Sequence, residues 1–307
     1  MTGIATGFAV IGLAVFVGWI AARTGVVGPE ARPVLARLNF TVLGPFLLFS
    51  VLSTADVAEL FSTLLPVSAI AAVTVMVLGA LLSLVVLRRR VPEATVSSLA
   101  AGYVNGNNIG IPIAAYMLGD AALSAPVVLL QLIVFMPLAL AVLGASVEGR
   151  TSVAGIVRGT LGNPIIIGSL LGVAVAVSGL ELPVWIAEPV SFVGHAAVPL
   201  MLVAYGMSLH GQRVLAPGRH RIEVVALSGL KLVAMPLVAW ALARFAFGLD
   251  DAQVYAATVL ASLPTAQNVF VLAQRYETAE LVARDTVFVT TAGAAPLLVV
   301  VGLLLGG

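Results

Sequence analysis

The sequence predicts an all-α polytopic membrane protein: ten transmembrane helices arranged as two inverted five-helix repeats. Three observations carry that expectation. Apolar residues are too abundant for a water-soluble core, apolar runs recur at membrane-spanning length, and basic residues gather on alternate connections. Of 307 residues, 61% are hydrophobic and only 9% charged, and the mean hydropathy is +1.13. A soluble domain carries roughly a quarter charged residues, so lipid is the solvent these residues face. Cysteine is absent, which removes disulfide and thiolate chemistry. The net charge of +1 says little as a total; its distribution says more.

About 20 helical residues cross a hydrocarbon core of about 30 Å. The apolar stretches that reach or approach that length are 4–22, 33–53, 64–87, 94–118, 121–147, 163–179, 185–209, 222–247, 252–275 and 280–305. The first has no basic leader and is too long for the apolar part of a signal peptide, so it is expected to be retained. Connections are short, and no attached soluble domain is expected.

Lys and Arg are held on the cytoplasmic side of a membrane. Arg23, Arg32 and Arg37 flank the first connection, Arg88 to Arg90 the third, and Arg150 and Arg158 the fifth. Arg213, Arg219 and Arg221 lie by the seventh, and Arg275 and Arg284 by the ninth. Even-numbered connections have only Arg244 nearby and carry Asp56, Glu59, Asp120, Glu181, Asp250 and Asp251. A count wrong by one helix would scramble this alternation. Both termini are therefore expected outside the cytoplasm, in a multi-pass protein of the cell membrane.

An odd-numbered repeat unit gives two halves of opposite orientation. Repeats are expected over 1–147 and 163–307, joined by a short cytoplasmic linker at 148–162. The prolines agree: Pro45 of span 2 matches Pro199 of span 7, Pro112 of span 4 matches Pro264 of span 9, and Pro137 of span 5 matches Pro296 of span 10. GPFLLFSVLS (44–53) is similar to VPLMLVAYGMS (198–208), and NIGIP (108–112) to LASLP (260–264).

Span 4 contains YVNGNNIGIPIAAYMLGD (103–120) and span 9 contains LPTAQN (263–268), so both fourth helices carry a mid-membrane proline beside amides. Proline inside a helix removes a hydrogen bond and clashes with the preceding turn, freeing backbone groups that lipid cannot satisfy. Two symmetry-related breaks point to a transporter's central site; the alternative is a pair of ordinary proline kinks. If each second half-helix begins at its proline, unpaired N–H groups and the positive end of the helix dipole converge there, a setting that suits an anion. Proline is favoured at the first helical position, where its missing N–H costs nothing. A carboxylate is then expected near Pro112, Ile113, Ala114, Pro264, Thr265 and Ala266, aided by the amides of Asn107, Asn108, Gln267 and Asn268. Each amide has repair of the broken backbone as its alternative role, and Asn105 is expected to be structural.

Four further residues stand out. Lys231, the single lysine, lies about nine residues into span 8, roughly 14 Å deep at 1.5 Å per residue. It is expected either to draw the anion in or to neutralise carbonyls freed by the break in span 9, with a structural pair as the bland alternative. His195 in span 7 is a possible proton relay, although a lone histidine is more often just hydrogen-bonded. Gln131 in span 5 either lines the cavity or makes a helix-packing hydrogen bond. Asp285 and Glu223 lie about a turn inside the cytoplasmic ends, where solvated carboxylates are ordinary.

NGNNIGIPI (105–113), NPIIIGSLLG (163–172), AAVPLMLVAYGMSL (196–209), LKLVAMPLV (230–238) and ASLPTAQNVFVLAQRY (261–276) together resemble the auxin efflux carrier family, which includes plant auxin exporters and bacterial permeases of malate and malonate type. The resemblance implies ten helices with broken helices 4 and 9 crossing at Pro112 and Pro264. It also implies a scaffold from helices 1, 2, 6 and 7, a transport domain from helices 3–5 and 8–10 that moves as an elevator, organic anions as substrates, and frequently a homodimer. The more distant bile acid:sodium symporters hold sodium with an acidic residue just before a Gln-Asn pair on the ninth helix. Here Gln267 and Asn268 follow Ser262, Leu263 and Pro264 without a carboxylate, which disfavours sodium coupling. Proton coupling, or uniport driven by the membrane potential, remains.

The expected function is therefore secondary transport of an organic anion. The alternatives are a sodium-coupled symporter, a channel-like pore and a membrane sensor or scaffold. No catalytic dyad, metal cluster or phosphate loop is present in the sequence, so neither an enzyme, a cofactor nor a nucleic-acid partner is expected.

Overall fold

A computed structural model describes residues 2–28, 30–54, 64–148, 152–208, 210 and 220–306. The described chain is helical throughout, and its one isolated β-bridge joins Val104 to Thr265. Contiguous helical segments are α1 (Thr2–Thr24), α2 (Ala31–Leu52), α3 (Leu65–Val86), α4 (Val91–Gly102), α5 (106–118), α6 (Ala121–Val147), α7 (Val153–Leu161) and α8 (Pro164–Ser178). They continue as α9 (Val184–His195), α10 (Ala197–Ser208), α11 (His220–Ala246), α12 (Asp251–Ala261), α13 (Gln267–Arg275) and α14 (Glu280–Leu305).

Among the described residues, six helical stretches are long and apolar enough to cross a membrane: α2, α3, α6, Val184–Ala204, α11 and α14. Spans 4 and 9 do not join them because each is divided, into α4 with α5 and into α12 with α13. The sixth expected span appears as the 15-residue α8. Part of the expected linker, 149–151, lies outside the described residues, as do Arg213, Arg219, Asp56 and Glu59.

Several prolines act differently from helix breakers. A five-residue π turn ends two positions before proline four times: Asn39–Leu43 before Pro45, Gly106–Gly110 before Pro112, Gln131–Phe135 before Pro137, and Leu230–Ala234 before Pro236. The pyrrolidine ring displaces the carbonyl one turn back and supplies no N–H, and a widened turn accommodates both defects while the helix runs on. Helix starts are capped by short polar side chains. Asn163 accepts the N–H of Ile165 at 2.9 Å, and Asp250 forms a capping box with Gln253.

By contacts the chain divides into two interleaved units: Met1–Ser62 with Asn107–Leu129 and Arg158–Gln212, and Thr63–Gly106 with Leu130–Val157 and Arg213–Gly307. Lipid tails are as apolar as leucine, so helix association relies on close packing at small residues. In the first unit, a Cβ on Gly168 would lie 2.5 Å from the carbonyl oxygen of Pro45, and one on Gly172 would lie 2.8 Å from that of Phe49, which sets α8 against α2. Leu47, Leu48, Leu52, Ile165, Ile166 and Leu202 fill its core. In the second unit, α3 packs on α4 where Gly79 faces Ala101 and Gly102 faces Met76. Val67, Val75, Val96, Leu227, Val259 and Leu260 are buried there.

Candidate functional site

The second unit brings the two helix breaks together. Helix α4 stops at Gly102, residues 103–105 run extended, and α5 starts at Gly106; α12 stops at Ala261 and α13 starts at Gln267. The extended segments pair antiparallel. Asn105 donates its backbone N–H to the carbonyl of Pro264 at 2.7 Å, and Ala266 donates to the carbonyl of Tyr103 at 3.0 Å. The pairing repairs the ladder lost at both breaks, an accounting that lipid-facing backbone must satisfy internally.

Side chains lock the pair. Thr265 is fully buried; its hydroxyl donates to the carbonyl of Ala100 at 2.7 Å, and its N–H donates to the hydroxyl of Thr290 on α14 at 3.1 Å. Thr290 in turn donates to the carbonyl of Thr286 at 2.7 Å. The Tyr103 phenol and the Asn268 amide are hydrogen-bonded. At the end of α12, Lys231 donates to the freed carbonyl of Ala261 at 2.9 Å, with the Sδ of Met235 also at 2.9 Å.

This geometry relocates one start point. The break in span 4 falls at Tyr103–Asn105, not at Pro112, and α5 runs unbroken in its backbone through Pro112, Ile113 and Ala114. Those three residues are buried inside α5, and the first turn after the break carries Asn107 and Asn108, both half-buried. In span 9, Pro264, Thr265 and Ala266 form the extended segment and Gln267 and Asn268 open α13. Each break is thus followed at once by two amide residues in a helical first turn.

The remaining candidates divide between the units. Asn107 donates to the side-chain oxygen of Asn108 at 3.2 Å, while its own buried Oδ1 has no partner among the described residues. Gln131 is buried, with its Oε1 likewise unpartnered, in the second unit. His195 lies exposed at the end of α9 in the first unit, its Nδ1 2.6 Å from the backbone oxygen of Ser191 and 3.1 Å from its hydroxyl. It borders a groove of about 1450 Å³ lined in part by Asp120, Glu181, Glu188 and Trp185. Three carboxylates make that groove unfavourable to an anion, so the polar residues at the breaks are the candidate. Asp285 pairs with Arg284 at 2.7 Å, and Glu223 with Arg89 at 3.0 Å.

Sequence reasoning missed Tyr103, Val104 and Thr290. The Asn105-Gly106 dipeptide, a turn signal at the junction of the extended residues and α5, marked the break better than the proline did. Thr290 carried no comparable signal, because its role depends on α14 meeting the break.

No group of three or more potential metal ligands occurs among the described residues. What remains is a membrane-embedded polar centre built on paired backbone breaks, the architecture of a polytopic membrane transport protein. A family profile described as membrane transport protein matches residues 4–153 and 150–301, nearly the whole chain. The chain belongs to this family, of auxin efflux carrier and malonate permease type. It is 30% identical over 288 residues to a Rhizobium meliloti (strain 1021) protein named "Putative malonate transporter", covering 90% of this chain and 88% of that one. It is 29% identical over 266 residues to an "Uncharacterized transporter" of Methanothermobacter thermautotrophicus, covering 84% of each.

Proposed function

We propose that the chain is a secondary transporter of an organic carboxylate anion, working by alternating access of the elevator type. One observation carries the reading: the antiparallel pairing of 103–105 with 264–266, from which α5 and α13 both start. Each extended segment is followed directly by the first turn of a helix, α5 at Gly106 and α13 at Gln267. First-turn N–H groups and the positive dipole ends then favour a carboxylate. Asn107, Asn108, Gln267 and Asn268 are the side chains assigned to it, while Thr265 and Ala266 hold the backbone in place.

Charge supports the same reading. The sequence has no Asp or Glu from 94 to 119 or from 252 to 276, so nothing acidic on either broken span repels an anion. The relative's printed name supports a short dicarboxylate as the first substrate to try. The reading extends to the cell membrane as location, both termini outside the cytoplasm, assembly as a homodimer, and either export or proton-linked movement of the anion.

The test is counterflow in proteoliposomes containing the purified full chain. Labelled malonate, malate, an aromatic acid and a branched-chain acid are each presented against the same unlabelled anion inside. Saturable counterflow of at least one is expected. Folded, incorporated protein that exchanges none of them, or that instead shows large unitary currents, would overturn the proposal.

A further inference from the structure

Lys231 is completely buried in the second unit, on the segment of α11 that packs against α3, α4 and α14. Its ammonium has a carbonyl and a thioether as partners. Among the described residues, none of the ion pairs involves it. The ionisable groups on the surrounding elements are engaged or distant. Glu223 of α11 accepts from Arg89, Ser83 and Ser97, and Glu93 of α4 accepts the backbone N–H of Arg90. Asp285 of α14 pairs with Arg284, and Asp251 of α12 with Arg244. Tyr103 bonds Asn268, and Tyr255 lies well before Ala261 on α12. His220 and Arg221 lie at the start of α11 and Glu280 at the start of α14. α3 contributes no ionisable group.

A buried charge needs a counter-charge, and no ion pair among the described residues supplies one. The carbonyl it touches belongs to Ala261, the last residue before the break where the substrate carboxylate is assigned. We propose that Lys231 is the proton-carrying group of the transport cycle, protonated when the anion occupies the breaks and deprotonated when it leaves, so that proton and anion cross together. This rests on the carboxylate reading above. The proton comes from water on the side to which the site is open, adds to the lone pair of the neutral Nζ, and returns to water on the other side; no other bond changes. Among the described residues, two buried hydroxyls on these elements lack a hydrogen-bond partner: Ser228 Oγ, one turn earlier on α11, and Thr286 Oγ1 on the packed α14. A neutral amine can still donate to the Ala261 carbonyl, so the break stays capped in both states.

Because proton and anion favour each other's binding, each must shift the other's affinity by the same factor. In proteoliposomes, an acid-outside pH gradient is expected to drive several-fold accumulation of labelled malonate by the wild-type chain. Lys231→Arg, which keeps its charge at all working pH values, is expected to retain counterflow and lose the gradient-driven accumulation. Accumulation by Lys231→Arg equal to the wild type would overturn the proposal, as would wild-type counterflow indifferent to the gradient.

A second measurement needs no transport. With one lysine in the sequence, lysine labelled with 13C at Cε alone yields a single side-chain NMR signal. The midpoint of that signal's pH titration is expected to rise by about one unit with saturating malonate, a tenfold linkage. A midpoint that malonate does not move would overturn the assignment. Loss of malonate counterflow in the wild type would instead strike the carboxylate reading, and the titration would still decide the role of Lys231.

Discussion

The backbone N–H of Asn105 donates to the carbonyl of Pro264 at 2.7 Å, joining residues that lie in different halves of the chain. Together with the bond from Ala266 to Tyr103, it makes each broken helix the repair of the other. Neither break can be satisfied alone in lipid, so the two segments fold as one feature.

Thr265 is the residue whose side chain ties this feature to α4. Thr265→Val keeps shape and β-branching but removes the hydroxyl that bonds the Ala100 carbonyl. Leaving that buried link unmade is expected to cost about 1–3 kcal/mol, read as a lowered thermal midpoint in detergent. Thr258→Val is the control. Its hydroxyl only bonds back to Val254 within the same helix, and its loss is expected to change stability by less than about 0.5 kcal/mol. Equal effects of the two would show that the link to Ala100 does not hold the breaks.

A different outcome is expected from the amides that open the two helices. Asn107→Ala removes a half-buried amide whose oxygen is unpartnered, so its stability cost should be small. Asn268→Ala removes an exposed amide bonded to Tyr103. Each is expected to weaken apparent malonate affinity in counterflow about tenfold, the equivalent of about 1.4 kcal/mol for a hydrogen bond to a charged group. Unchanged affinity in both, with protein still folded, would remove the first turns from the site.

The parts of this architecture legible from sequence were those set by local composition. Apolar span length needed no partner to be read, and Lys231 stood out because a lone charge sits inside an apolar run. The break in span 4 was not legible at Pro112, because proline's defect is absorbed there by a π turn within α5. The actual break at Tyr103–Asn105 is held by Pro264 and Ala266 across from it, a long-range pairing marked locally only by the Asn105-Gly106 turn signal. For the same reason the sequence left open which group Lys231 would meet. The carbonyl it caps belongs to Ala261, thirty positions away.

Glu223 shows how the second unit handles a buried carboxylate at the end of α11. It accepts from the hydroxyls of Ser83 and Ser97 at 3.3 and 2.8 Å and from Arg89 at 3.2 and 3.0 Å, joining α3, α4 and α11. Glu223→Ala leaves Arg89 and the buried Ser83 hydroxyl without their acceptor, Ser97 keeping the carbonyl of Glu93, and is expected to destabilise by about 3 kcal/mol. Glu223→Gln keeps one acceptor and should cost roughly half of that, since Arg89 is partly exposed to water. Equal stability of Glu223→Ala and the wild type in a thermal unfolding series would mean that the cluster does not brace these helices.

The packing of α1 on α10 makes the sharpest demand on side-chain size. A Cβ on Gly18 would meet the backbone of Val203, and a Cβ on Gly206 would meet the carbonyl of Val15. The two contacts are reciprocal, so each helix presents its glycine to the backbone of the other. Backbone cannot yield as a flexible side chain would. Even one added methyl must push the helices apart along the whole contact, and both Gly18→Ala and Gly206→Ala are expected to cost about 1–3 kcal/mol. Gly12→Ala on the same helix meets nothing within 4 Å and serves as the matched control, expected to be neutral or slightly stabilising through helix propensity. If the double variant Gly18→Ala with Gly206→Ala costs no more than either single change, one displacement of the helices relieves both clashes. A fully additive cost would mean that the two contacts resist separation independently.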